Sequence, residues 1–151
     1  MNNTRNHLFH YSKSIITLDR DFKYSPQGLG KPKGLWISVG GDWKTWCEAE
    51  RFNLSGVKHR HVVTLTKDAN LLMITSASEL DCFASEYGRR LYSDSSKTDD
   101  IDWSRVSAQH QGIVISPYIW TRRLEMLWYY GWDCASGCIW DLHAIKDLKR
   151  K

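Results

Sequence analysis

The sequence predicts an α+β fold, a single domain of two small, mostly antiparallel sheets with short helices. Three observations carry that prediction. Short β-branched and aromatic runs recur between turn residues, and only a few segments show apolar residues at helical spacing. Strands and helices also fail to alternate in the rhythm that builds a parallel sheet. At 151 residues the chain suits one domain spanning 1–151, and no linker, repeat or low-complexity tract divides it.

Residues 1–6 read as a frayed end. His7–Ser12 is a short aromatic strand, and 19–33, with Pro26, Gly28, Gly30 and Pro32, is loop. Gly34–Val39 is a second strand, stopped by Gly40-Gly41. Asp42 stands in the N-cap position of a helix carrying Trp43, Trp46 and Cys47. His59–Thr66 is β-rich, and Asn70–Thr75 extends or partners it. Ser76–Tyr92 reads as a helix, because Leu80, Phe83, Ala84 and Tyr87 recur at i, i+3, i+4 and i+7. A polar loop at 93–100 precedes a short helix over Ile101–His110. Gly112–Ile115 is a strand ended by Ser116-Pro117, residues 122–137 are mixed and turn-rich, and Cys138–Leu142 is a late strand. Lys146, Asp147, Lys149, Arg150 and Lys151 hold most of the net charge of +4, so 146–151 reads as a solvated basic tail. The body of the chain has no basic field of the kind a dedicated DNA binder needs.

Composition narrows the function classes. No apolar leader-like segment or long apolar run is present, which predicts a protein of the cytoplasm with no membrane partner. Cys134 and Cys138 lack a matching second pair, and Cys47 and Cys82 lie far away, so no metal site is expected. His59 and His61 share a strand face at a spacing metals use, but no third ligand stands nearby. The phosphate-cradling, dinucleotide and serine-hydrolase signatures are absent. Glu48 and Glu50 lie two apart on a helix and cannot face one substrate together.

The outlier is eight tryptophans, with seven tyrosines and four phenylalanines. Such a surplus suits a dense aromatic core or a ring-lined pocket. Three elements contain the parts needed to grip a flat heterocycle and its ribose: Leu8-Phe9-His10-Tyr11-Ser12, Gly34-Leu35-Trp36-Ile37-Ser38 and Trp46-Cys47. A histidine near a strand end can bond a ribose hydroxyl, backbone groups can hold a carboxamide, and ring faces can stack.

In order and spacing these elements resemble the nicotinamide half of the diphtheria-toxin/PARP-like ADP-ribosyltransferases. That resemblance covers residues 8–47 and implies NAD as co-substrate. It implies that His10 bonds the nicotinamide ribose and the Tyr11 backbone holds the carboxamide, with Ser12 and Gly34 completing the two motifs. Trp36 and Trp46 would line or stack on the ring, supported by Ser38. Tyr11 replaces the family's usual glycine. Ser136, in Ser136-Gly137-Cys138-Ile139-Trp140-Asp141, stands where poly-transferring members carry a glutamate, which argues against polymer synthesis and leaves a single transfer. Asp133 is the replacement acid, with Glu125 the other candidate.

The implied activity is mono-ADP-ribosyl transfer to a macromolecule, a protein in the first place and nucleic acid in the second. The competing expectation is a non-enzymatic interaction protein that uses the rings of 116–120 and 127–132 to bind a protein or single-stranded nucleic acid. The Gly-Leu-Trp, Pro-Tyr-x-Trp and Trp-Tyr-Tyr-Gly-Trp-Asp blocks also resemble small phage or bacterial proteins, which would place the chain in a host cytoplasm.

Overall fold

In the computed structural model, which describes residues 7–91 and 98–151, one mixed seven-stranded sheet replaces the two small sheets expected. The strands are β1 (Leu8–Ser12), β2 (Leu35–Val39), β3 (His59–Leu65), β4 (Leu71–Ile74), β7 (Gly112–Ile115), β8 (Ser136–Ile139) and β9 (Ile145–Arg150). Their order is β4-β7-β8-β2-β1-β3-β9. A two-stranded ribbon, β5 (Gly88–Arg89) with β6 (Asp100–Ile101), stands apart from it. The helices are α1 (Asp42–Glu50), α2 (Ala77–Tyr87), α3 (Trp103–Gln109) and α4 (Leu127–Tyr130).

Several expectations change. The 70–75 segment does not partner the strand before it. As β4 it runs parallel to β7 at the far edge, joined by a crossover through α2 and α3, as a parallel pair requires. The N-cap of α1 is Gly41 and Asp42 is its first helical residue, whereas Ser76 caps α2 by accepting from Glu79 N. Residues 146–151 are no loose tail: Ile145–Arg150 form β9 and pair along β3. Ile145 and Leu148 enter the core while Lys146, Lys149 and Arg150 are exposed, so charge at four of the six positions hid an edge strand that packs against the core. Residues 1–6 and most of the expected 93–100 loop lie outside the described residues.

Side-chain alternation gives the sheet two apolar faces. Ile74, Ile113 and Ile115 project toward α2, α3 and α4, where Leu80, Phe83, Tyr87, Trp103, Val106, Trp128, Tyr129 and Trp132 complete an aromatic core. Leu8, Ile37, Val63, Val114, Ile139 and Ile145 face the other way, closed by Leu142 and Ala144. Of the eight tryptophans, Trp103, Trp128 and Trp132 are thus buried in the aromatic core, and Trp36 and Trp140 pack against it. Trp36 and Trp132 are packed at the margin of the first cluster, where α1 and the 131–134 segment leave part of the sheet uncovered. No helix among the described residues is long and apolar enough to cross a membrane.

Candidate functional site

The site begins where β1 and β2 part. The five residues of β1 all pair with β3, and four of β2 pair with β8. Between β1 and β2, however, pairing stops after Leu8↔Val39 and Phe9↔Ser38. At the fork the His10 side chain takes over from the backbone ladder: Nδ1 lies 2.7 Å from the Trp36 carbonyl oxygen. A carbonyl only accepts, so Nδ1 carries the proton and the neutral ring keeps its lone pair on Nε2. Burial holds the His10 pKa below 6.5, with the Trp36 bond opposing and the nearby His61 reinforcing that shift. His61 is itself buried: its Nε2 accepts from Ile16 N at 3.1 Å, and its Nδ1 lies 3.2 Å from the His10 carbonyl.

Over the fork opens a cavity of about 230 Å³. Phe9, Tyr11 and Trp36 come from the parting strands, Trp43 from α1, and Trp132 and Asp133 from the return into β8; Lys31 reaches in from the long loop. Local chemistry positions each wall. Ser38 Oγ donates to Gly40 O at 2.9 Å and accepts from Trp43 N at 3.0 Å, which ties the first turn of α1 to the end of β2. Trp36 meets Trp132 edge-on at 4.9 Å. The bidentate Arg122–Asp81 pair, at 2.8 and 2.9 Å, fastens the 120–126 segment to α2. Buried Trp128 and Tyr129 anchor α4, and the chain then returns through Asp133 to Ser136, the register partner of Ser38.

Of the residues singled out in the sequence, His10, Tyr11, Trp36, Ser38, Asp133 and Ser136 come together around this cavity. Four do not line it. Trp46 stacks behind Trp43 at 5.2 Å and 10°, so the aromatic wall from α1 is Trp43. The Ser12 hydroxyl bonds Ser14 O, in the exposed segment after β1. Gly34 is a packing residue, because a Cβ there would sit 2.6 Å from Ile139 O. Glu125 pairs with Arg122 at 3.5 Å and also lies outside the lining. Sequence reasoning missed Lys31, whose loop carries no periodicity, and took Trp132 only as one of the rings of 127–132.

The polar groups differ in what they have left to offer. Asp133 is mostly enclosed, 3.6 Å from Arg123 Nη2. Burial raises its carboxyl pKa, while Lys31 and Arg123 pull it back toward ionisation. Ser136 Oγ donates to Cys134 O at 3.0 Å and serves the turn. Burial pushes the Cys134 thiol up to about 12, so it is no thiolate nucleophile at neutral pH. The indole N–H of Trp132 is buried with no protein partner, a donor that a ligand oxygen would satisfy. No group of three or more His, Cys, Asp or Glu poised for a metal occurs among the described residues. No family model, curated protein or solved structure matches the chain.

The depressed pKa of His10 has a consequence for stability. The unfolded chain takes up this proton near 6.5 and the folded chain only at a lower pH. Its contribution is therefore present above 6.5 and is lost as pH falls through the folded value. Denaturant midpoints should drop between about pH 7.5 and about pH 5.5, and His10→Asn should reduce that drop. His59, whose pKa is also lowered by burial and then by Arg150 and Lys58, leaves a residual slope. An undiminished slope in the variant would remove His10 from the account.

Proposed function

We propose that this chain binds NAD at the β1–β2 fork and transfers a single ADP-ribose to a macromolecular acceptor, first of all a protein, in the cytoplasm. The supporting observation is the convergence of His10, Trp36 and Asp133, from three separate stretches of chain, on one aromatic-walled cavity. The volume suits one flat ring and the edge of its sugar; the rest of a dinucleotide would extend along the open side.

In this reading Trp36, Trp43 and Trp132 wall the nicotinamide ring. The Trp132 N–H and the backbone at Tyr11 serve the carboxamide, and His10 Nε2 accepts from a ribose hydroxyl. The bond from ribose C1′ to the nicotinamide nitrogen breaks, and its electron pair neutralises the pyridinium as nicotinamide leaves. Positive charge builds on the ribose, and the Asp133 carboxylate opposes it. A lone pair of the acceptor forms the new bond to C1′, and the acceptor's proton passes to Asp133 and on to solvent. Preorganised opposite charge of this kind is worth about 100- to 1,000-fold in rate.

The test is titration of the protein with NAD while following tryptophan fluorescence. A saturable change is expected, weakened about 2- to 13-fold in His10→Ala through loss of one hydrogen bond to the neutral ring. A flat titration in the wild-type chain would refute the reading. It would favour the second reading, an interaction protein, for which a specific feature speaks: Trp120, Leu124, Leu127 and Tyr130 are all exposed, and Arg123 lies against the rings of Trp120 and Tyr130.

A further inference from the structure

Lys31 is held at the cavity by its neighbours on both sides. Gly30, at φ +86°, donates its N–H to Asp100 Oδ1 at 3.2 Å, and its carbonyl accepts from Trp103 Nε1 at 2.9 Å. Asp100 is in turn gripped by Arg89 through Nε at 3.1 Å and Nη2 at 2.9 Å. On the other side Pro32 is buried and its carbonyl accepts from the Cys138 thiol. The backbone on either side of Lys31 is thus locked to the core, although the side chain is exposed.

From that anchorage the side chain runs past Gly131 and sets Nζ 5.3 Å from the centroid of Trp36. Gly131 makes room for it, since a Cβ there would lie 3.0 Å from Lys31 Cε. The ammonium therefore occupies the ring face that a stacked ligand would need, in a cavity whose one carboxylate, Asp133, already interacts with it. Aromatic faces with a nearby carboxylate favour a cation over a neutral ring of the same shape.

We propose that Lys31 is a built-in competitor for this cavity, so that a cationic flat ring displaces it and a neutral ring does so poorly. This rests on the NAD reading and adds a charge selection to it. The pyridinium of NAD is cationic and the departing nicotinamide is neutral, so the returning lysine ammonium favours release of the product. A lysine merely covering surface could be removed with no change in the affinity of either ring.

The experiment uses two small probes that differ by one N-methyl group and its charge, 1-methylnicotinamide (cationic) and nicotinamide (neutral), with NAD as reference, read by tryptophan fluorescence. The wild-type chain should bind the cation about 2- to 30-fold more tightly than the neutral ring. Lys31→Ala should tighten both, by a similar factor for the neutral ring. Lys31→Arg, which keeps a cation over Trp36, should behave as wild type. Lys31 is exposed at its side chain, so these variants are expected to fold. Equal binding of the two probes, or unchanged affinity in Lys31→Ala while NAD still saturates, overturns the competitor and leaves the NAD site standing. Flat titrations with all three compounds in both wild type and Lys31→Ala overturn the two together.

Discussion

Replacing Trp103 by alanine is expected to destabilise the fold by about 3–5 kcal/mol, the range for removing a large buried aromatic. Trp103 is 1% exposed, and its ring meets those of Phe83, Trp128, Trp132 and Trp140 at centroid distances of 5.8 to 6.4 Å. Four large rings around one deleted ring cannot all collapse into the space. In a chain of this length the thermal midpoint should fall by roughly 6 to 20 °C. The effect has a second part, because Trp103 Nε1 is the donor that holds Gly30 O. Trp103→Phe keeps most of the packing but leaves that carbonyl without its donor, at a cost of about 1–3 kcal/mol. It should also slacken the Lys31 segment and tighten binding of both probes, as Lys31→Ala does. A thermal scan showing Trp103→Ala within a degree or two of wild type would contradict the core described above.

Ending the chain after Ala144 should be more damaging still. β9 pairs with β3 from His61↔Arg150 to Leu65↔Ile145, with a bulge between Thr64 and Leu65. Its removal takes fully buried Ile145 and half-buried Leu148 out of the second core and exposes β3 as a new edge. Each large aliphatic lost from a core costs about 2–5 kcal/mol, and the whole stability of a domain is of order 5–15 kcal/mol. The truncated chain is therefore expected to be largely unfolded or aggregated, as judged by far-UV circular dichroism and size-exclusion elution. Lys149→Glu with Arg150→Glu, which changes charge on outward-facing positions, should stay within about 0.5 kcal/mol per site of wild type. A truncated chain with the wild-type melting curve would return residues 145–151 to the status of a solvated tail.

That contrast shows where local pattern stops being informative. β1, β2, β3, β7 and α2 were legible because their evidence is local: runs of β-branched and aromatic residues, glycine and proline stops, and apolar spacing of three and four. β9 was not, because only two of its residues enter the core and the lysines and arginine around them dominate its composition. Asp42 was placed as a cap from residue type alone, yet the polar contact at the start of α1 comes from Ser38, on the preceding strand. The α+β class was legible too, but not the merging of the strands into one sheet, since partner choice depends on residues far apart in the chain.

The candidate site divides in the same way. The resemblance pointed to His10, Tyr11, Trp36 and Ser38, and to Asp133 and Ser136. Aromatic rings beside histidine and small polar residues are chemically distinctive wherever they fall. Which tryptophan of α1 faces the cavity was a matter of helix orientation, and packing chose Trp43 over Trp46. The fork at His10, the protonation of its Nδ1 and the anchoring of Lys31 through Gly30 and Pro32 arise from contacts between distant segments. Strand and helix tendencies act over a few neighbouring residues and can be read along the chain. A cavity is the space left when such elements pack, and its shape and charge exist only once distant side chains meet.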